Sequence, residues 1–291
     1  MFPASFDYHR AGSVEEALDL LAQHGADAKL LAGGQSLIPD MRYRLTQPGV
    51  LVDINKIEGL GYIDENGTLS LGALTRSSDM ESSRLINSKY HLLADVSRTV
   101  ADPIVRRRGT VAGSLAYNDP SGDWGSAALA SRAEVVIQGP NGTRTQTIDD
   151  FLTGHYQTSL QEGEMLTEVR FPTLDSRTAG AYEKVKRKIG DWATASAAVQ
   201  VTLDDNSKIQ EAGVSMAAVA PEPRRAEEAE SILRGETLSK EVIEAASEAA
   251  MKVAEPKSDT RGSAEYKRDM VRVLVSRGLY RAAARLGVEV E

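Results

Sequence analysis

Two segments of small residues are the part of this chain best suited to chemistry. The first spans residues 32–36 (sequence AGGQS) and the second spans residues 110–114 (sequence TVAGS). Minimal side chains let several backbone N–H groups converge on one anion, and the serine and threonine hydroxyls add further donors. We therefore predict that these two segments, called here the first and second glycine segments, form the halves of one diphosphate cradle that suits a dinucleotide such as FAD.

A competing interpretation is that the two segments are ordinary surface turns. An isolated Gly-Gly pair is more often a turn between strands than a ligand site. A second segment with its own hydroxyls, followed by a carboxylate at Asp123, supplies groups for phosphates and for a ribose or ribityl hydroxyl. On spacing alone the two interpretations remain open.

Local patterns predict the elements that carry the first glycine segment. Ser13 and Glu16 have the spacing of a capping box before a helix that ends near Gly25. Apolar runs at 29–32 and 50–54 predict two short buried strands. The first glycine segment is therefore expected to lie between two strands.

The second glycine segment follows a predicted helix over 91–100, which the Asp-Pro pair at 102–103 brings to an end. A further helix is predicted over 124–130. The Asn-Gly pair at 66–67 predicts a two-residue β-hairpin, because both positions tolerate positive φ. The second segment is thus expected to be a turn between two helices.

The pattern of the chain changes beyond a predicted linker over 173–179. Three strands and then three helices are predicted there, with strands over 182–188, 193–203 and 209–219 and helices around 224–233, 240–254 and 264–286. Together with the mixed region before the linker, this order predicts an α+β fold.

Composition limits the classes of function. A chain of 291 residues with 41% hydrophobic content can bury a substantial core, and its length suggests two domains. A formal charge of −8 argues against nucleic acid as a partner. The absence of cysteine excludes thiolate catalysis and iron–sulfur ligation by this chain. No signal-peptide pattern or membrane-length apolar run occurs, so we expect a cytoplasmic location.

No other motif indicates acid–base or metal chemistry. Neither a P-loop nor a Gly-x-Ser-x-Gly elbow occurs in the sequence. We assign no catalytic residue and no metal ligand to the chain. The sequence has four histidines, His9, His24, His91 and His155. Their spacing does not match that of metal ligands.

A basic run at 184–188 has two interpretations. Such a run is usually a solvated strand edge that resists pairing with other strands. The alternative is that strand alternation directs Lys184 and Lys186 to one face, while Trp192 presents an aromatic plane to a flat cofactor ring. The physics of the sequence alone favours the first interpretation.

The two glycine segments resemble the flavin-diphosphate motifs of the FAD subunits of molybdenum hydroxylases, the xanthine dehydrogenase family. The resemblance covers almost the whole chain. Within this family the chain is similar to the medium subunits of aerobic carbon monoxide dehydrogenases, notably at residues 5–10 (SFDYHR), 182–191 (YEKVKRKIGD) and 258–262 (SDTRG).

The resemblance implies a two-domain α+β architecture. A PCMH-type FAD-binding region over 1–175, with two α+β subdomains at about 1–56 and 57–175, would precede a C-terminal flavoprotein domain. That second domain, over 176–291, would combine a three-stranded antiparallel sheet with helices.

The resemblance also implies which residues bind FAD. The backbone of the two glycine segments would hold the pyrophosphate, and Asp123 would bind a sugar or ribityl hydroxyl. Trp192 stands where relatives have a tyrosine, so an indole would lie near the isoalloxazine. The implied cofactor-binding residues are Lys29, Leu31, Ala32, Gly33, Gly34, Gln35, Ser36, Val100, Thr110, Val111, Ala112, Gly113, Ser114, Asp123, Leu166, Lys184 and Trp192.

The implied function is electron transfer. FAD would accept electrons from two [2Fe-2S] clusters of a small subunit and pass them to an external acceptor such as a quinone or a cytochrome. A Mo–Cu molybdopterin cytosine dinucleotide site in a large subunit would oxidise CO to CO2. The subunits would form a dimer of heterotrimers that can associate peripherally with the inner face of the membrane.

Two alternatives stay open. The chain would fit equally as the FAD subunit of a hydroxylase that acts on an N-heterocycle or an aldehyde. It would also fit a noncatalytic scaffold with a decayed flavin site. Ala112 is the main argument for the scaffold, since many relatives have glycine there and a methyl group would crowd the diphosphate if the backbone needs positive φ.

Overall fold

The computed structural model describes residues 2–290, and its first elements form a small parallel sheet. The central strand pairs in parallel with the two others, in the order β1-β3-β2. The Ser13 hydroxyl accepts a hydrogen bond from the Glu16 N–H at 3.1 Å, which confirms the predicted helix start. These elements are β1 (Asp7–Arg10), α1 (Val14–His24), β2 (Ala28–Leu31), α2 (Leu37–Tyr43) and β3 (Val50–Asp53).

A five-stranded antiparallel sheet with helices follows, in the strand order β4-β5-β10-β6-β7. The predicted hairpin at 66–67 is confirmed, with Gly67 at φ +78°. The elements are β4 (Ile63–Glu65), β5 (Thr68–Gly72), α3 (Ser77–Ser82), α4 (Arg84–Lys89), α5 (His91–Thr99), α6 (Pro103–Arg106), α7 (Val111–Tyr117), α8 (Asp123–Ala130), β6 (Glu134–Gly139), β7 (Gly142–Thr147), α9 (Ile148–Phe151), β8 (Leu152–Gly154), β9 (Gln157–Thr158) and β10 (Met165–Pro172).

The last elements form an antiparallel sheet and three helices. The three predicted strands are present, and a two-residue strand adds a fourth, so the order is β11-β12-β13-β14. This short strand occupies the predicted start of a helix at 224, and the helix begins at Glu227 instead. The elements are β11 (Thr178–Val185), β12 (Ala195–Leu203), β13 (Ile209–Ala217), β14 (Arg224–Arg225), α10 (Glu227–Leu233), α11 (Lys240–Val253) and α12 (Ala264–Leu286).

The second glycine segment is not the turn that its small residues suggested. Thr110 is the N-cap of α7, and its hydroxyl accepts a hydrogen bond from the Gly113 N–H at 3.0 Å. The preceding Asp-Pro pair also starts a helix, because the Asp102 carboxylate caps α6 and Pro103 occupies its first position, where an N–H is not needed. The segment is therefore the first turn of a helix.

The C-terminal sheet lies between two helical layers. Helices α10 and α12 cover one face, with α11 packed on them, and α5 and α8 of the preceding region cover the other. The approach of α8 is close, since a Cβ on Gly213 of β13 would lie 1.9 Å from the carbonyl oxygen of Ala130. Tyr182 and Ala198 accordingly pack into the apolar core of the N-terminal region.

A buried carboxylate joins the two regions. Asp95 of α5 has 9% of its side chain exposed and accepts hydrogen bonds from two arginines of α12, Arg285 at 2.8 and 2.9 Å and Arg281 at 3.0 Å. Its carboxylate also accepts the N–H of Tyr182 in β11 at 3.2 Å. One acidic side chain thus ties α5 to both a strand and a helix of the C-terminal sheet layer.

None of the helices within residues 2–290 is long and apolar enough to cross a membrane. The predicted division at residue 175 falls in the connection between β10 and β11.

Candidate functional site

The two glycine segments meet in the structure. A Cβ on Gly33 would lie 2.3 Å from the carbonyl oxygen of Arg108 and 2.9 Å from the Cα of Gly109, immediately before the second segment. The Cγ of Gln35 lies 3.7 Å from the Cβ position of Gly109. Because the Gly33 contact is with backbone, no larger residue fits at this position without moving the second segment.

Several backbone N–H groups of the two glycine segments donate to no acceptor of the protein within residues 2–290. Among them are the N–H groups of Gly33, Gly34, Gln35, Ser36, Thr110 and Ala112. Convergent N–H donors are the groups that bind the oxygens of a diphosphate. The residues present therefore fit the phosphate part of a dinucleotide.

The methyl group of Ala112 does not obstruct this arrangement. Ala112 lies in the first turn of α7, it has no positive φ, and it is 3% exposed within the apolar core. The condition under which the methyl would crowd a diphosphate is therefore not met. Gly34, in contrast, has φ +71°, a conformation that favours glycine.

Asp123 and Lys184 form a buried ion pair beside α8. The Lys184 ammonium lies 2.9 Å from the Asp123 carboxylate, and the side chains are only 2% and 6% exposed. The Tyr182 hydroxyl donates to the same carboxylate at 2.6 Å. Burial, and then the charge of Asp123, raise the pKa of Tyr182 well above its ordinary value, so this hydroxyl remains a donor. A carboxylate has about four acceptor positions, so Asp123 keeps capacity for a ligand hydroxyl.

Trp192 lies at the end of an anchored turn over 187–192. The guanidinium of Arg261 donates to the carbonyl oxygen of Trp192 at 2.7 Å and to the Asp191 carboxylate at 3.1 Å. Gly190 of the same turn lies against Ala101 and Asp102, just after α5. The indole itself is 47% exposed, so one of its faces is accessible.

The remaining predicted residues lie on several different elements. Val100 caps the C-terminus of α5, close to the turn that carries Trp192. Leu166 is buried in β10, which packs against α7. Leu31 ends β2 directly before the first segment, and Lys29 is exposed on that strand. Within residues 2–290, no hydrogen bond joins Lys184 or Trp192 to either glycine segment.

Sequence reasoning missed two residues that link the first segment to the backbone just before the second. Asn55 follows β3 and donates to the carbonyl oxygens of Leu31 and Ala32, at 3.2 and 2.8 Å. Arg76 donates to the side-chain oxygen of Asn55 and to the carbonyl oxygen of Arg108. The only signal for Asn55 was a polar residue after a buried strand, and Arg76 carries no local signal.

Comparison with protein families covers nearly the whole chain. Residues 4–174 match the FAD binding domain in molybdopterin dehydrogenase. Residues 180–282 match the CO dehydrogenase flavoprotein C-terminal domain. Both matches agree with the glycine segments lying in the first region and the antiparallel sheet in the second.

Relatives of the same length are also found. The chain is 43% identical over 286 residues to the carbon monoxide dehydrogenase medium chain of Hydrogenophaga pseudoflava, covering 98% of this chain and 99% of the relative. A carbon monoxide dehydrogenase structure from the same organism superposes with a TM-score of 0.94 at 44% identity, over 98% and 99% of the two chains. Quinoline 2-oxidoreductase from Pseudomonas putida 86 gives a TM-score of 0.89 at 30% identity, over 98% and 99%.

The predicted family and the mixed α and β fold are therefore confirmed. This chain belongs to the FAD-binding flavoprotein subunits of the molybdopterin dehydrogenases, a family of oxidoreductases.

Proposed function

We propose that this chain is the FAD-carrying medium subunit of an aerobic carbon monoxide dehydrogenase, through which electrons from CO oxidation leave the enzyme. The observation that carries the proposal is the contact of the first glycine segment with the residues that lead into the second, together with the N–H groups of both segments that have no acceptor in residues 2–290. The 43% identity to a carbon monoxide dehydrogenase medium chain over nearly all of both chains supports this choice of substrate.

In this proposal the FAD-binding domain is residues 1–175 and the C-terminal domain is residues 176–291. Those N–H groups of residues 32–36 and 110–114 that have no acceptor in the protein bind the pyrophosphate. Asp123, held by Lys184 and Tyr182, accepts a hydrogen bond from a ribityl or sugar hydroxyl. The smaller contacts of the pocket are made by Lys29, Leu31, Val100 and Leu166.

Trp192 limits access to the flavin ring in this proposal. Its half-exposed side chain, on a turn that Arg261 holds in place, would offer an aromatic surface to the isoalloxazine. When bound, FAD supplies reversible one- and two-electron exchange, and the protein's part is to bind the cofactor, orient it and shield it from water. No acid or base of this chain has to act on the substrate.

The other redox centres belong to other subunits in this proposal. The chain has no cysteine, so clusters ligated by thiolates must lie elsewhere. A small subunit with two [2Fe-2S] clusters delivers the electrons. A large subunit with a Mo–Cu molybdopterin cytosine dinucleotide oxidises CO, in a cytoplasmic dimer of heterotrimers. A quinone or a cytochrome, reached at the inner face of the membrane, is the proposed external acceptor.

The test is a visible spectrum followed by an activity assay. The purified full-length chain, mixed with FAD and freed of excess cofactor, should show flavin absorbance at near-stoichiometric amount. Co-expression with the large and small subunits should then give CO-dependent reduction of an artificial dye. A chain that retains no flavin, alone or in the complex, would support the scaffold interpretation instead.

A second candidate is the FAD subunit of a hydroxylase acting on an N-heterocycle. The similarity to quinoline 2-oxidoreductase over nearly the whole chain favours this alternative. The same complex, assayed with CO and with quinoline, separates the two candidates. Dye reduction with quinoline but not with CO would reject the carbon monoxide dehydrogenase proposal and leave the flavin site intact.

A further inference from the structure

The direction of the Gly33 N–H depends on a residue outside the glycine segments. The side-chain nitrogen of Asn55 donates to the carbonyl oxygen of Ala32 at 2.8 Å and to that of Leu31 at 3.2 Å. In a trans peptide the C=O and the following N–H point in opposite directions. Fixing the Ala32 oxygen at Asn55 therefore directs the Gly33 N–H to the opposite side, where it has no acceptor in residues 2–290.

Arg76 and Asp53 together fix which way round the Asn55 amide lies. One guanidinium nitrogen of Arg76 donates to the side-chain oxygen of Asn55. A guanidinium has only donors, so it accepts no hydrogen bond and must face the oxygen of the amide. The Asp53 carboxylate has only acceptors and takes a hydrogen bond from the amide nitrogen at 2.6 Å. The same nitrogen is thereby directed to the carbonyl oxygens of Leu31 and Ala32.

Arg76 also contacts the other half of the site. Its second guanidinium nitrogen donates to the carbonyl oxygen of Arg108, which is the backbone atom nearest the missing Cβ of Gly33. Backbone hydrogen bonds on either side of Arg76 reinforce this link, because Ser77 donates to Gly109 at 3.0 Å and Val111 donates to Thr75 at 3.1 Å. One side chain therefore connects the first and second glycine segments.

The surroundings of Arg76 suit a neighbouring anion. Within residues 2–290 its side chain hydrogen-bonds to neutral oxygens only, those of Asn55 and Arg108. Burial, and then the positive charge of Arg108, lower its pKa, but a guanidinium stays protonated at any ordinary pH. The charges of Asp79 and Asp53 act on Arg76, but no carboxylate is hydrogen-bonded to its side chain within residues 2–290, so this half-buried cation can attract a further anion.

We propose that Asn55 and Arg76 are positioning residues of the FAD site: Arg76, together with Asp53, orients the Asn55 amide, Asn55 directs the Gly33 N–H, and Arg76 ties the first glycine segment to the backbone that leads into the second. The inference rests on the proposed function, because it concerns the same diphosphate cradle. It assigns the two residues no contact with the flavin ring.

The decisive variants are Arg76→Ala, Asn55→Ala and Asn55→Asp in the full-length chain. The aspartate keeps the shape of Asn55 and its attraction to Arg76, but it cannot donate to the Leu31 and Ala32 oxygens and it faces the Asp53 carboxylate, so Asn55→Ala is the variant without that repulsion. We therefore expect both Asn55 variants and Arg76→Ala to weaken FAD binding about tenfold or more. Arg76→Lys, which can reach one of the two acceptors, should restore part of the affinity.

The measurement is the dissociation constant of FAD, from the change in flavin fluorescence on titrating the apo chain. Arg144→Ala is the matched control, because that arginine is paired with Glu164 and lies outside the site. This variant should bind FAD with the wild-type affinity. The double variant of Asn55 and Arg76 to alanine should lose no more affinity than the worse single variant. Faster amide exchange at Ser77 and Val111 in apo Arg76→Ala would report the loosened tie directly.

The outcomes distinguish a failure of FAD binding from a failure of the positioning role alone. If the wild-type chain binds no FAD, the proposed function fails and this inference with it. If the wild-type chain binds FAD and Asn55→Asp and Arg76→Ala bind it within twofold of wild type, only the positioning role is overturned. Equal losses in Arg144→Ala and Arg76→Ala would likewise overturn it, because they would indicate general destabilisation.

Discussion

The two glycine segments present backbone N–H groups by different means. The first is irregular backbone between β2 and α2, and it needs glycine twice, once for the contact at Gly33 and once for the φ of +71° at Gly34. The second is the first turn of α7, where Val111 and Gly113 donate within the protein and the Ala112 N–H has no acceptor in residues 2–290. In the first segment the backbone itself requires glycine, whereas in the second only the capping hydroxyl opposes a side chain at Gly113, and alanine is accepted at 112.

The two segments also differ in what supports them. The second is held by neutral groups, chiefly the Thr110 hydroxyl and backbone hydrogen bonds. The first depends on Asn55, which in turn donates to the Asp53 carboxylate. Burial raises the pKa of Asp53, but hydrogen bonds from Tyr8 and Asn55 outweigh burial, so the pKa lies below its ordinary value of 3.8.

The largest expected effect comes from Gly33→Val. Its side chain would collide with the backbone at Arg108, so the segments must separate, at a cost of about 1–3 kcal/mol or more in the free energy of unfolding. We expect no flavin to be retained after purification, as measured by the ratio of flavin to protein absorbance. Gly61→Ala is the control, because its Cβ would meet only Leu74 at 3.9 Å. Full flavin occupancy in Gly33→Val would contradict the close contact.

Gly113→Val tests the second segment and should have the next largest effect. Its Cβ would lie 2.5 Å from the Thr110 hydroxyl, so the N-cap of α7 is lost, at a cost of about 1–2 kcal/mol. Flavin affinity should fall with the cap, which titration of the apo chain would measure. Thr110→Ser retains a capping hydroxyl and should keep wild-type affinity. If Gly113→Val binds FAD as wild type does, the cap does not hold the segment.

Asp53→Asn tests whether the support of the first segment, unlike that of the second, depends on a charged group and therefore on pH. Because the folded pKa is lowered, the carboxylate contributes stability above about 3.8 and loses it as pH falls through the lower folded value. The variant should be about 1 kcal/mol less stable than wild type at neutral pH. That difference should shrink toward zero below pH 3.8, as denaturant titrations across pH would show. A difference in the free energy of unfolding that does not change with pH would mean that the charge of Asp53 does not contribute to stability.

Ala112→Gly should have a smaller effect, confined to stability. Removing a buried methyl from a helix costs about 0.5–1 kcal/mol, but the N–H of the residue stays in place. FAD affinity is therefore expected to equal the wild-type value. A clear gain in affinity would revive the idea that the methyl group crowds the diphosphate.

Trp192→Ala should have the smallest effect on stability, within about 0.5 kcal/mol, because the indole is 47% exposed. The spectrum and the reduction potential of the flavin should nevertheless change. The amount of FAD that the protein retains should not change, because the two glycine segments are intact. A visible spectrum and a redox titration measure this. An unchanged spectrum and potential would remove Trp192 from the site.

Most of the fold could be predicted because its signals are local. The Asn-Gly pair at 66–67 specifies its hairpin, and the long helix from Ala264 to Leu286 was predicted to within a residue from its periodicity. The strand β14 was not predictable, because its two residues become a strand only by pairing with Ser215 and Met216 of β13. The start of helix α7 was hidden by its small residues, which suggest a turn.

The site was predictable only in part, for the same physical reason. The composition of the glycine segments indicated an anion site. The importance of Gly33, however, comes from a backbone contact with Arg108 and not from space reserved for phosphate. Asn55 and Arg76 act across long separations in the chain, and an isolated asparagine or arginine carries no pattern that predicts such a partner.

The carboxylate of Asp95 has a mechanical consequence for electron transfer. Distances between redox centres must be reproducible if electrons are to move at a steady rate, and here the proposed flavin pocket draws side chains from both halves of the chain. Because Arg281, Arg285 and the Tyr182 backbone all converge on Asp95, the strand that leads to Lys184 is braced against α5 two residues before that lysine. The halves are thereby fastened together, and the turn at 187–192 is held between them by Arg261 on one side and the end of α5 on the other.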